Sequence, residues 1–331
     1  MSYQEFFRGL PVLVTGATGF IGSHLVERLV ALGARVRCLV RRTSRTSVLP
    51  DGVTLALGDL RTGEGLRDAV RGAELVFHLA GVTKAISRAD YEQGNAAATR
   101  HLVEALGASC RRLVHVSSLA AVGPSRDGSP VSEDAEPRPV SCYGRSKLEA
   151  ERAIRESALA GRAVIVRPPV VFGPRDTDVL EIFRMVARGW ALVVGDPTAR
   201  FSLIYVEDLV EGLLEAAAAE KAAGRTYFMA DPTPASWRQF VQLAGQILGR
   251  RPRLLRVPGP AAWIAALGWE AAARLRGKPS IISRDKVAEA RAGEWICDVA
   301  RARAELGFQA RTPLPEALAR TLAWYRQAGL L

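Results

Sequence analysis

The sequence is poor in the residues that would frame a small extracellular fold or a metal centre. Its 331 residues include only four cysteines, Cys38, Cys110, Cys142 and Cys297, scattered and without a C-x-x-C pair. That excludes a disulfide scaffold and a thiolate zinc site, and fits a reduced, cytoplasmic protein. The four histidines, His24, His78, His101 and His115, form no ligand-spaced cluster, so no metal is expected. No apolar run reaches the roughly 18 residues that a membrane span requires. The opening Met-Ser-Tyr-Gln-Glu-Phe-Phe lacks the basic start and apolar core of a secretory signal. Lysine is scarce as well: 40 of the 45 basic residues are arginine. The net charge of +11 comes without zinc-finger spacing, basic heptads or an RNA-binding aromatic signature, so nucleic acid is not an expected partner.

What is present is the composition of a globular chain, 48% hydrophobic and 24% charged. The length suggests two domains, or one domain with an added lobe. The basic excess is uneven: residues 250–331 carry 15 Arg/Lys against 7 Asp/Glu, a net of +8. It reads first as a solvated arginine-rich surface, with an anionic ligand or acidic membrane as the alternative.

Residues 10–170 alternate short apolar runs with helical patterns. Strands are expected at Pro11–Thr15, Val36–Val40, Thr54–Leu57, Leu75–Leu79, Leu113–Ser117 and Ala163–Arg167, with helices near 20–32, 63–71, 88–107 and 144–160. This alternation implies βαβ units in a doubly wound parallel sheet, an α/β fold, and the apolar runs imply strands covered on both faces. After Pro168 the rhythm breaks at Pro-Pro, Gly-Pro and Asp-Pro-Thr-Pro clusters. A dinucleotide-binding domain is therefore expected over 1–170. A smaller, partly interleaved substrate lobe is expected over 171–331, with 201–220 returning to the sheet.

The first motif is Thr15-Gly16-Ala17-Thr18-Gly19-Phe20-Ile21-Gly22, between a strand and a helix. Gly16 allows a tight turn, Gly19 lets backbone approach a pyrophosphate, and Gly22 lets the helix pack on the sheet. The helix N-terminus offers free N–H groups and partial positive charge to phosphates. At the end of the second strand, where an acid would select NAD through the ribose 2′-hydroxyl, stand Arg41 and Arg42. Two guanidinium groups suit a 2′-phosphate, so NADP is favoured over NAD. Asp59 and Leu60, after the third strand, are placed to cradle adenine, or Asp59 to cap the next helix.

The second motif is Tyr143-Gly-Arg-Ser-Lys147, whose ends share a helix face. A phenol titrates near 10, too high for a base at neutral pH, and a neighbouring ammonium lowers it. Ser117 and Ser118 lie at the end of the fifth strand, on the carboxyl edge where open α/β sheets bind ligands. A hydroxyl there can hold a substrate oxygen as charge develops on it.

Taken together, the sequence resembles the extended branch of the short-chain dehydrogenase/reductase superfamily, which has a Rossmann fold. The likeness is carried by the glycine motif, Gly58-Asp59-Leu60, His78-Leu79-Ala80-Gly81, Ser118 with Tyr143-x-x-x-Lys147, and Arg167-Pro-x-x-x-x-Gly173-Pro174. Phe201–Leu209 and Glu305–Phe308 with Trp324-Tyr325 add to it. The resemblance implies Tyr143 as acid/base, Lys147 as its pKa partner and ribose ligand, and Ser118 as the substrate-oxygen donor. It implies cofactor contacts at Gly16, Thr18, Gly19, Phe20, Ile21, Gly22, Leu79, Ala80, Gly81 and Pro168, a structural Asn95, and a homodimer. Lys84, Val170 and Arg200 are candidate substrate contacts.

Within the branch, several positions point away from nucleotide sugars. Pro168-Pro169-Val170 stands where sugar enzymes often have Tyr-Phe-Asn, Phe201 stands where they place a phosphate-binding Arg, and Leu119-Ala120 replaces a dehydratase Asp-Glu. An apolar pair cannot supply the acid and base for water elimination. The expected substrate is a ketone or secondary alcohol on an apolar scaffold, as in dihydroflavonol reductases and 3β-hydroxysteroid dehydrogenases. The alternatives are a nucleotide-sugar epimerase or dehydratase with retained NAD, and a non-catalytic dinucleotide sensor. Finally, Trp263, Ile264, Leu267, Ala271 and Leu275 share a helical face beside Arg274, Arg276 and Lys278. Packing of that face on its own lobe is the expectation, and membrane association the less favoured reading.

Overall fold

A computed structural model describes residues 3–107, 110–277 and 283–331. The first half opens with α1 (Tyr3–Phe7) and builds β1 (Pro11–Thr15), α2 (Phe20–Ala31), β2 (Arg35–Val40), β3 (Thr54–Leu57), α3 (Leu66–Val70) and β4 (Leu75–His78). It continues with α4 (Arg88–Tyr91), a widened turn at Glu92–Ala97, α5 (Ala98–Leu106), β5 (Arg112–Val116), α6 (Cys142–Arg155) and β6 (Ala163–Arg167). The second half holds β7 (Val170–Phe172), α7 (Leu180–Ala187), β8 (Trp190–Val194), β9 (Arg200–Phe201), β10 (Leu203–Tyr205), α8 (Val206–Ala218) and β11 (Thr226–Phe228). The final segments are β12 (Ala235–Ser236), α9 (Trp237–Leu248), β13 (Arg253–Val257), α10 (Gly259–Arg276), α11 (Arg284–Arg291), α12 (Ala300–Leu306) and α13 (Leu314–Gln327).

Seven parallel strands form the central sheet in the order β11-β6-β5-β4-β1-β2-β3. The order reverses between β1 and β4, where Thr15 pairs with His78, and this is the crevice in which such sheets bind ligands. One face is covered by α2 and α8, through Leu25, Val26, Leu29, Leu209 and Leu213. The other is covered by α3, α5 and α6, through Leu66, Leu102, Val103 and Ile154. The apolar run at β3 is covered less than its composition implies. As the edge strand it lies beyond its neighbours' helices, and Leu57 is 56% exposed with Leu55 close to that.

Interleaving takes a specific form. Residues Val206–Ala218 pack on the central sheet, Leu203–Tyr205 pair with β7, and the seventh strand comes from Thr226–Phe228 beside β6. The lobe has its own aromatic core, in which Phe172, Phe183, Phe201, Phe240 and Tyr325 are buried together.

One element departs from expectation. α10 packs inward through small residues: Ala262 and Ala266 lie against Val194, Val257 and Val287, and Ala273 is buried further along the helix. The stripe expected to pack on the lobe instead faces outward, with Ile264 69% and Leu275 90% exposed. Small residues permit close approach of the helix backbone, so the large side chains are left on the far side. Lys278 lies outside the described residues.

Candidate active site

The β1–α2 turn is drawn tightly against the loop after β4. Gly16 adopts φ +73°, and a Cβ there would sit 2.6 Å from the Ala80 nitrogen. A Cβ on Gly22 would lie 2.1 Å from the Gly16 carbonyl oxygen. Thr15 ties the two segments together: its hydroxyl bonds His78 Nδ1 at 2.7 Å and accepts from the Ala80 N–H at 3.3 Å. The other ring nitrogen of His78 meets Thr99 at 3.0 Å, and burial pushes the imidazole down to about 3, so it is neutral. No side chain caps α2 at Gly19, so the N–H groups of Phe20, Ile21 and Gly22 are available to an anion. Thr18 and Phe20 are half-buried beside this opening.

Leu79, Ala80 and Gly81 continue from β4 along the same crevice. Asn95, in the widened turn, holds the segment in place: its Oδ1 accepts the Val82 N–H at 2.7 Å, and its amide donates to the Val82 carbonyl and to Ser146 Oγ at 2.8 Å. Arg41 and Arg42 stand exposed at the carboxyl end of β2. Leu60 is buried nearby, while the Asp59 carboxylate accepts the Arg61 N–H at 2.8 Å, holding the turn that precedes α3.

Across the crevice, α6 begins at an Ser141 cap, whose hydroxyl accepts the Gly144 N–H at 3.0 Å. That cap sets Tyr143 in the first turn and Lys147 one turn further, fully buried against β5, its Nζ donating to the Val116 carbonyl at 2.7 Å. Burial lowers the Lys147 ammonium to about 8, opposed by the Glu151 carboxylate. The two serines are separated by their partners. Ser117 donates to Glu151 at 2.5 Å, and Glu151 is gripped by Arg167 at 2.6 and 2.9 Å in a buried pair. Ser118 accepts the Ala120 N–H at 3.1 Å and faces the Tyr143 phenol, where its hydrogen bonding favours the ionised form. Pro168 is buried, its carbonyl accepting the Leu119 N–H at 2.9 Å, and Val170 follows half-buried at the start of β7.

The Tyr143 phenol is pushed up by burial. The cation that opposes this is not Lys147 but Lys286, on α11, whose Nζ lies 5.6 Å from the ring centroid. Its neighbour Asp285 accepts the Tyr143 N–H at 3.2 Å, and Glu289 pairs with Lys286 at 2.9 Å. Sequence reasoning missed this group. Its only local signal is an Asp-Lys pair at a helix start, 142 residues from the tyrosine.

The remaining candidates are engaged elsewhere. Lys84 forms an ion pair with Asp178. Arg200 is held by both oxygens of Glu294 at 2.7 and 2.8 Å and donates to the Gly128 carbonyl. Arg200 is spent on those partners rather than on the Ser118–Tyr143 cluster, whereas Asp178, the partner of Lys84, is near enough to Tyr143 to oppose ionisation of its phenol.

Residues 12–230 match the model of the NAD dependent epimerase/dehydratase family. The chain belongs to that family. It is thus an NAD(P)-dependent oxidoreductase of the extended short-chain dehydrogenase/reductase type. A ceramide reductase of Caulobacter vibrioides is 34% identical over 97% of this chain and 96% of its own. A 3 beta-hydroxysteroid dehydrogenase/Delta 5-->4-isomerase of Mycobacterium tuberculosis is 28% identical over 95% and 90%. Among solved structures, MoeE5 in complex with UDP-glucuronic acid and NAD is 29% identical, with a TM-score of 0.74 over 96% of this chain and 99% of that one.

Proposed function

We propose that the family member described here interconverts a ketone and a secondary alcohol on an apolar, lipid- or steroid-like substrate, with NADP preferred over NAD. The observation that carries the reading is the convergence of Ser118 and Tyr143 on one point of the crevice, with Lys147 buried behind them. The open first turn of α2 and the glycine turn fit a pyrophosphate, the segment Leu79–Gly81 fits the path of the dinucleotide, and Arg41 with Arg42 fits a 2′-phosphate. The cofactor, when bound, supplies or takes up the hydride.

The chain's own residues do the rest. Ser118 holds the substrate oxygen. Tyr143 donates a proton to it in reduction and withdraws it in oxidation. Lys286 keeps the phenol's proton mobile by favouring its ionised form, and Lys147 is held behind it on the Val116 carbonyl. The apolar preference is supported by the relatives named for ceramide and 3β-hydroxysteroid substrates. It is also supported by the ion-paired state of Lys84 and Arg200, the two cations a sugar diphosphate would need.

The test begins with the nucleotide released on denaturation and with NADPH and NADH titrations of the emptied protein. Exchange at every turnover, tighter NADPH binding, and reduction of a lipophilic ketone are expected. Tyr143→Phe should then lose about 100-fold or more in kcat with NADPH binding intact. Arg41→Ala with Arg42→Ala should weaken NADPH and spare NADH. Stoichiometric NAD that never exchanges would overturn the reading in favour of an epimerase.

A further inference from the structure

Along α10, Pro260, Trp263, Ile264, Leu267, Gly268, Ala271 and Leu275 follow one another at helical spacing and are all exposed. Among the described residues no helix is long and apolar enough to cross a membrane, so this is a face and not a span. The apolar surface does not stop at the helix. Leu192 and Leu255 are exposed and paired in register, on the same face of the β8–β13 ribbon as Val194 and Val257, which pack beneath α10. The border is cationic. Arg274 and Arg276 close the helix, Arg253 stands on the ribbon, and the Arg284 guanidinium lies 5.5 Å from the Trp263 ring. The one acid of α10, Glu270, is neutralised by Arg284 at 2.9 Å.

From this we infer that the outer face of α10 docks on a bilayer containing anionic phospholipid. Tryptophan, isoleucine and leucine on one helix face, with arginines beside them, match an interface whose acyl region is apolar and whose headgroups are negative. Each arginine near such a surface adds an attraction that salt screens. A second copy of the chain fits less well, because two such faces would oppose Arg274 and Arg276 to their own like charges. The face also connects to the site. α10 packs on α11 through Ala262, Ala266 and Val287, and α11 carries Asp285 and Lys286 onto Tyr143. Docking there sets the crevice beside the membrane. That this delivers a lipid-phase substrate rests on the function proposed above; the docking itself does not.

The experiment is co-sedimentation of the full chain with phosphatidylcholine vesicles, with and without phosphatidylglycerol, across a salt series. Tryptophan emission is followed in the same samples. Binding to the anionic vesicles, a blue shift, and release by salt are expected. Ile264→Asp with Leu267→Asp should weaken binding about tenfold or more, as should Arg274→Glu with Arg276→Glu, each with an unchanged melting temperature and unchanged turnover of a water-soluble ketone. The inference is overturned if the parent chain stays in the supernatant with anionic vesicles at low salt. It is equally overturned if both variants sediment like the parent, or if the aspartate variant only splits a dimer. Intact vesicle binding without any ketone reduction would count against the proposed function instead.

Discussion

At the scale of single residues, the arrangement around Tyr143 is built from three parts of the chain: the end of β5, the start of α6 and the start of α11. The sequence motif displays the first two. In the sequence Ser117 and Ser118 stand together at the end of β5 and only the family resemblance favours Ser118; the structure supplies the physical difference: Ser117 is spent on the buried Glu151–Arg167 pair. Lys286 was not legible, because its position depends on tertiary packing of the last third of the chain. It carries a prediction. Lys286 lowers the phenol's pKa, so Lys286→Met should raise it. The acid limb of kcat/KM for alcohol oxidation, where the needed phenolate is protonated, should move to higher pH, with little change at the plateau. A profile of kcat/KM against pH checks this, and an unmoved limb would show that Lys286 does not act on the ionisation.

At the scale of elements, the strand–turn–helix around Gly16 and Gly22 was readable to within a residue or two, because both positions are dictated by backbone contact. Gly22→Ala forces a methyl group into the Gly16 carbonyl. The expected result is loss of dinucleotide binding together with a stability loss on the order of 1–3 kcal/mol, the range for overpacking a tight interior. Titration calorimetry and urea unfolding measure the two losses. Other elements were invisible for identifiable reasons. β8 and β13 form a ribbon outside the main sheet, where no alternation with helices announces them. α11 is short and mostly polar, its place fixed by contacts with α10 and Tyr143. The periodicity of α10 marks its apolar stripe without saying what lies opposite it, and the structure turns that stripe outward.

At the scale of the whole molecule, the doubly wound order and the β1–β4 crevice follow from the βαβ rhythm; a late return of the chain is expected over 201–220, whereas the strand that joins the sheet is Thr226–Phe228, with α8 packed on its face. The centre of the sheet also sets an acid limit. His78 and His115 stack side by side between β4 and β5, 5.0 Å apart, both buried and held below the ordinary imidazole range by desolvation. Among the described residues neither ring nitrogen of His115 has a hydrogen-bond partner. The unfolded chain binds protons at these groups near pH 6.5, whereas the folded chain resists them. Stability is therefore full above that pH and declines below it, at up to about 1.4 kcal/mol per pH unit for each histidine. Melting temperatures measured between pH 8 and pH 5 should fall below about 6.5, and His115→Phe should flatten the fall.

The place of β11 has a consequence for how the protein is made. The seventh strand is synthesised some 60 residues after the neighbour it pairs with, β6. Until it arrives, β6 is an open edge of five apolar or buried residues, ready to pair with another chain. A ribosome that stopped after residue 170 would release this edge unprotected. Truncates ending there should collect in aggregates, while a chain carried through β11 and the lobe closes its own sheet.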